Sequence, residues 1–265
     1  MASEHPRLVA VAVGNTRTRI GLFESGDLSS AVSHPSTDAA AIAAAIVHMI
    51  GEHAEVPVVM SSVNPPADRA IAHAAADAGI DGLLRIGQDI LVPMNHALDD
   101  AATLGQDRIL CAFAAYRRAK QACIVIDAGT AITVDFVDGE GAFQGGAIAP
   151  GLTMMLDALH SHTASLPKLD FAPADAARGA FGKDTAHAMI LGVTASAAGM
   201  VHYLIDRYAQ AYEAYPQIIA TGGDAAVLFE NDELVEHLVP DLQLVGIYEA
   251  CVAHDEEALA DDEQE

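Results

Sequence analysis

Residues 124–151 read IVIDAGTAITVDFVDGEGAFQGGAIAPG, and this stretch decides the fold. An apolar strand runs into Asp127, Gly129 and Thr130, and a second strand follows at once over residues 132–137. Such a tight hairpin leaves backbone N–H groups at the strand ends. Glycine lets the main chain approach an anion closely, and the Thr130 hydroxyl adds a donor. A carboxylate beside an anion cradle makes a place for a cation. A weaker echo stands near the start of the chain: an apolar run over 8–13, then Gly14-Asn15-Thr16, then a second run over 18–23. Two strand–turn–strand units of this kind imply two related α/β half-structures facing one nucleotide.

Composition narrows the function classes. The chain has 265 residues, enough for one large domain or two small ones with a sizeable core. It is 52% hydrophobic and lacks tryptophan, so packing relies on Ala, Val, Ile and Leu. A formal net charge of −24 opposes contact with nucleic acid, whose phosphates need basic neutralisation. An anionic substrate must then be drawn in by local donors and a metal ion, against the global field. No uninterrupted apolar run of about 18 residues occurs, so no membrane partner is expected. The start of the chain shows no basic leader before an apolar core, and the expected location is cytoplasmic. Cys111, Cys123 and Cys251 form no CxxC pattern and read as reduced, buried small hydrophobes.

Hydrophobic periodicity and turn signals order the rest. Helices are expected over 37–53, from Pro65-Pro66 onward, from Asp107 onward, and over 152–162, 184–214, 223–230 and 247–259. Strands are expected over 56–63, 83–86, 123–127 and 217–221. A boundary near residue 117 divides the chain into an N-terminal domain, 1–117, and a C-terminal one, 118–259, with an acidic tail at 260–265. The helix from 184 is rich in Ala, Gly and Ser, which suits a central packing or dimer element as well as an ordinary core helix.

Several motifs carry chemistry. Leu104-Gly105-Gln106-Asp107-Arg108 sets an acid and a base at a helix N-terminus, where the helix dipole favours anions. Asp107 either caps that helix or acts as a general base, and Arg108 is either a surface residue or a bidentate partner for a carboxylate. Gly145-Gly146 and Pro150-Gly151 close the hairpin region or simply make turns. Thr221-Gly222-Gly223-Asp224 follows a strand and precedes a helix, which suits contact with a nucleotide base or ribose. The segment GAFGKD at 179–184 lacks the ending of a P-loop, and no nucleophile elbow or dinucleotide-binding glycine fingerprint occurs. His160 and His162, two apart on a helix, point in different directions and make no metal site.

Together these residues resemble type III pantothenate kinase, of the acetate and sugar kinase/Hsc70/actin superfamily. The resemblance runs in order through VGNT at 13–16, SSVNP at 61–65, LGQDR at 104–108 and IDAGTAITVD at 126–135. It continues through GGAIAPG at 145–151, TASLP at 163–167, GKDT at 182–185 and TGGD at 221–224. It implies two ribonuclease H-like (actin-like ATPase) domains with a nucleotide cleft between them, a homodimer, and ATP-dependent phosphorylation of pantothenate at the start of coenzyme A synthesis. By the same resemblance Asp107 is the catalytic base, and Gly105, Gln106, Asp107, Arg108 and Thr185 contact pantothenate. Ala12, Val13, Gly14, Asn15, Thr16, Arg17, Thr18 and Arg19 form the first phosphate loop. Thr130, Gly222 and Gly223 contact ATP, and Asp127 holds a monovalent cation, potassium or ammonium. Mg2+ accompanies the ATP phosphates.

Two positions depart from the family pattern. Its first phosphate motif begins with an aspartate that helps place magnesium; here Ala12 stands there. Losing such a charge costs on the order of 10²–10⁴-fold in rate. Ala12 therefore motivates an alternative, a catalytically impaired nucleotide-binding or regulatory homologue. Leu98 replaces an aromatic pantothenate contact, which motivates a third reading, a kinase for another small hydroxyl compound.

Overall fold

The structure, a computed structural model, describes residues 7–51 and 56–262. The chain forms two compact units. The first takes residues up to Asn95, Asp99–Arg118 and the chain from Leu242 onward; the second takes His96–Leu98 and Ala119–Asp241.

The first unit opens with β1 (Leu8–Val13), β2 (Arg17–Glu24) and β3 (Asp27–Pro35), an antiparallel meander. Helix α1 (Ala39–Ile50), β4 (Val58–Ser62), α2 (Pro65–Asp77), β5 (Leu84–Arg85) and α3 (Gln106–Ala119) follow. The sheet order is β3-β2-β1-β4-β5, with β4 parallel to β1 and β5 parallel to β4. Central β1 is buried along its whole length, as its unbroken apolar run LVAVAV requires of a strand covered on both faces. Val9, Val11 and Val13 pack with Ile42 and Ile46 of α1 and Ile71 of α2. Asp38 caps α1 by accepting from Ala41 N at 3.0 Å, and Asn64 caps α2 by accepting from Ala67 N at 3.2 Å.

Strand β3 had no sequence signal, because it is an edge strand with almost no apolar alternation. It forms because Ser25 and Gly26 both take positive φ, 53° and 92°, which gives the hairpin turn that matches strand twist. The expected helix over 37–53 is observed as Ala39–Ile50, and its last expected residues, 52 and 53, lie outside the described residues.

The second unit repeats the plan. It contains β6 (Cys123–Ala128), β7 (Ala131–Val137), β8 (Phe143–Pro150), α4 (Leu152–Ser161), α5 (Thr185–Tyr212), β9 (Gln217–Thr221), α6 (Ala225–Phe229) and β10 (His237–Leu238). Its order, β10-β9-β6-β7-β8, read from the other edge is the order of the first sheet. An antiparallel three-strand meander continued by two parallel strands is the ribonuclease H-like arrangement, here present twice.

Gly145 and Gly146 do not make a turn; they lie inside β8. Gly146 pairs with Asp135, and a Cβ there would collide with the Asp135 carboxylate and the Val134 carbonyl. Its glycine serves close strand approach. Helix α5 is long and apolar enough to cross a membrane by length and composition. Its Met189, Val193, Ala197, Val201 and Ile205 nevertheless pack on Ile124, Ile126 and Val134 as a core helix.

The chain then returns to the first unit with α7 (Leu242–Asp262). The expected C-terminal domain of 118–259 thus loses this helix, which also starts earlier than the expected residue 247. The cause is packing: Leu242, Leu244, Val245 and Ile247 are buried in the first unit, and Tyr248 stacks on Phe23 at 4.6 Å between centroids. Gly246 sits against the Leu110 carbonyl of α3, where any side chain would collide.

Candidate active site

In the first unit three of the singled-out segments meet. The turn between β1 and β2 begins at Gly14, whose N–H donates to Arg17 O at 3.1 Å; a Cβ there would stand 2.8 Å from that oxygen. The Ser36 hydroxyl donates to Gly14 O at 2.9 Å and lies 3.0 Å from the Thr18 hydroxyl. Ser36 N donates to Thr16 O at 3.0 Å. The Asn64 amide reaches Asn15 O at 3.4 Å, and Val63 N donates to Val13 O at 3.1 Å. The turn carbonyls are thus tied inward, while Asn15, Thr16 and Arg17 are exposed. Ala12 is buried, in register with Arg19 on β2 and Ser61 on β4.

Gly105 precedes α3, and a Cβ there would come within 4.0 Å of Val63. A Cβ on Gly105 would collide with the Asp107 carboxylate, so glycine leaves that carboxylate its room. Asp107 is half-buried in the first turn of α3, and its Oδ1 accepts from Arg108 N at 2.9 Å. The Gln106 amide packs on Gly87.

In the second unit three loops converge. Gly129 N donates to Ala131 O at 3.0 Å and Gly151 N to Thr130 O at 3.1 Å, and side chains at Gly151 are excluded by the carbonyls of Gly129 and Thr130. Gly222, at φ +97°, lies over Asp127 and Ala128; a Cβ would strike Asp127 Oδ1 and Ala128 O. Asp224 N donates to Ala128 O at 2.9 Å, and burial raises the Asp224 carboxyl above its ordinary value. Asp127, Thr130, Gly222 and Gly223 are therefore neighbours. Thr185 is the exposed first residue of α5, after Asp184, which accepts from His187 N at 2.8 Å and pairs with Arg178 at 2.7 Å. The His187 backbone bond, with help from Arg178, holds the Asp184 carboxyl below its ordinary value.

The donors sort the ions. Among the described residues no group of three or more His, Cys, Asp or Glu could hold a metal, and Ala12 brings a methyl to the first loop. That loop does not fit a directly ligated Mg2+. At Gly222 the Asp127 carboxylate and the Ala128 carbonyl face the same space, one charge and one main-chain oxygen, which suits a monovalent cation better than a divalent one. Asp135 is buried mid-strand under Gly146, not at the turn. Ser36 carries no sequence signal because its position depends on the pairing of β3, and the buried polar Ser61 lies within the SSVNP motif without distinguishing itself.

Two glycine-bearing hairpin turns on duplicated ribonuclease H-like sheets define the actin-like fold. Among solved structures, a conserved Baf family protein from Campylobacter jejuni matches at TM-score 0.59 and 18% identity, covering 94% of this chain and 100% of its own. The ethanolamine utilization protein EutJ from Carboxydothermus hydrogenoformans matches at 0.53 and 16%, covering 92% and 89%. These likenesses show the fold. A model of the type III pantothenate kinase family matches residues 8–207. A type III pantothenate kinase from Frankia alni is 33% identical over 247 residues, covering 91% of this chain and 96% of its own length. One from Rubrobacter xylanophilus is 34% identical over 254 residues, covering 91% and 95%. The chain belongs to the type III pantothenate kinase family.

Proposed function

We propose that this protein transfers the γ-phosphoryl group of ATP to the primary hydroxyl of pantothenate, giving 4'-phosphopantothenate and ADP at the first step of coenzyme A synthesis. The observation that carries this reading is the family match across residues 8–207, which takes in both hairpin loops and the Asp107 turn. The chemistry suits the site, since phosphoryl transfer asks mainly for positioning and charge neutralisation. Asp107 accepts the proton of the attacking hydroxyl, and Arg108 with Gly105 and Gln106 receives the pantothenate carboxylate end. Thr185 adds a substrate contact. The first loop, 12–19, and Thr130, Gly222 and Gly223 hold the nucleotide. Asp127 would hold potassium or ammonium, which supplies positive charge near the phosphates. Mg2+ usually keeps several waters and binds through substrate phosphates, so it comes with the nucleotide and not through residue 12.

We place the protein in the cytoplasm, without nucleic-acid or membrane partners, as a homodimer. The charge of −24 supports the first exclusion. The exposed Ala188, Gly192, Ala195, Ser196 and Gly199 on α5 support a face open to a second copy. Sedimentation at micromolar concentration showing only monomer would remove the dimer.

A coupled assay with ATP, pantothenate, Mg2+ and K+ tests the activity; no product at high enzyme concentration rejects it. Ala12 favours one second reading, a nucleotide-binding or regulatory homologue without catalysis. Turnover at rates usual for enzymes, about 1–10³ s⁻¹, sinks that reading.

A further inference from the structure

Strands β1 and β4 run parallel, and both end at the first loop. Ala12 is in register with Ser61 on one side and Arg19 on the other, so the three side chains share one sheet face. Ser61 is 1% exposed, and its Oγ has no hydrogen-bond partner. The hydroxyls one position further on, at the Val13 level and on the opposite face, have partners: Thr18 with Ser36, Ser36 with Gly14 O, and Ser62 with the backbone of Asn64. A buried hydroxyl without a partner costs stability, and alanine would remove that cost with little change in packing. Such a group calls for an explanation in function.

We propose that Ser61 binds the terminal phosphate of the nucleotide, its hydroxyl donating to a γ-phosphoryl oxygen beside the methyl of Ala12. The ends of parallel strands are where open α/β sheets receive ligands. A phosphate fits better than a cation here. Arg19 brings positive charge and Ala12 no negative charge, and a hydroxyl beside a guanidinium is a donor pair for an anion. Rotation about one χ1 bond, between staggered wells, carries the hydroxyl toward the bound group. This inference rests on the reading of the chain as an ATP-dependent kinase, which its family membership supports, but not on pantothenate as the acceptor.

The second sheet supplies the contrast. Thr221 stands beside Asp127 as Ser61 stands beside Ala12, and its hydroxyl has a partner in Pro240 O at 3.5 Å. Of these two stations, the one without a carboxylate holds the unsatisfied hydroxyl.

Calorimetric titration of wild type and Ser61→Ala with an imido-bridged, non-hydrolysable ATP analogue and with ADP, both with Mg2+, tests this. The triphosphate analogue should bind about tenfold more weakly to the variant, with ADP affinity kept within about twofold. The ligand-free variant should melt at or above the wild-type temperature. Unchanged triphosphate affinity, an equal loss for ADP, or a lower melting temperature overturns the proposal. Ser61→Cys, near-isosteric but a poor donor, should show the same selective loss; a thiol variant binding the triphosphate as wild type does overturns it too. Neither readout involves pantothenate. Triphosphate discrimination through Ser61 without pantothenate turnover would keep this inference and reject that substrate; the reverse outcome would do the opposite.

Discussion

Ala12 and Asp127 occupy the same station in the two sheets. Each lies two residues before a turn glycine, Gly14 or Gly129, on the central strand. Each has a meander partner on one side, Arg19 or Thr133, and a hydroxyl residue of the parallel strand on the other, Ser61 or Thr221. The surroundings then diverge. The second turn keeps its carboxylate and is closed from above by glycines, Gly151 and Gly222, whose missing side chains let backbone lie on backbone. The first turn has a methyl in that place, is tied by the side chains of Ser36 and Asn64, and is flanked by Arg17 and Arg19. The two hairpins are equivalent in backbone and differ in side chains: a methyl between Arg19 and Ser61 in the first, a carboxylate under Gly222 in the second.

That comparison can be broken or sharpened by mutation. With Ala12 in place, Asp107 is the only carboxylate among the proposed site residues of the first unit. Asp107→Asn should lower kcat by about 10³-fold in the coupled assay while nucleotide affinity stays within about twofold. Asp127→Ala should cost at least about tenfold in activity and flatten the dependence on K+; a variant still activated by K+ would move the cation elsewhere. Ala12→Asp makes the stations alike, and kcat should rise about tenfold at limiting Mg2+. An unchanged rate would show that the nucleotide phosphates place the metal fully even when a carboxylate is offered at residue 12.

The last prediction concerns two of the three buried thiols, Cys251 in the first unit and Cys123 in the second. Burial pushes Cys123 and Cys251 from 9.0 up to about 12. Between those values the unfolded chain has lost the proton that the folded chain keeps, so stability falls as pH rises from about 9 toward 12. Urea unfolding at successive alkaline pH values should show a slope of about 1.4 kcal/mol per pH unit for each thiol. Cys123→Ala should remove one such contribution and leave that of Cys251.

The central strands, both hairpin turns and helices α2, α4 and α5 were legible in the sequence, because unbroken apolar runs, capping Asn or Asp and paired prolines act locally. What escaped depends on partners far along the chain. Strand β3 exists through its pairing with β2, and β8 looked like a glycine turn because Gly146 answers to Asp135 across the sheet. The residues of the motifs were readable, yet the closeness of Gly222 to Asp127 and of Gly105 to Asp107 is a matter of missing side chains in three dimensions. The unsatisfied state of Ser61 has no sequence signal at all, since serine looks the same whether or not it has a partner.

The return of α7 to the first sheet sets an order of assembly. During synthesis from the N-terminus, β1 through α3 emerge first, but the sheet face bearing Leu8 and Ala10 and the Phe23 ring await Leu244, Ile247 and Tyr248. The whole second unit must leave the ribosome before that cover arrives. A chain halted at residue 241 would carry every proposed site residue and still leave this apolar surface bare, a target for chaperones and proteases. Closure of the first unit by α7 therefore ties the maturity of its loops to the prior synthesis of the whole second unit.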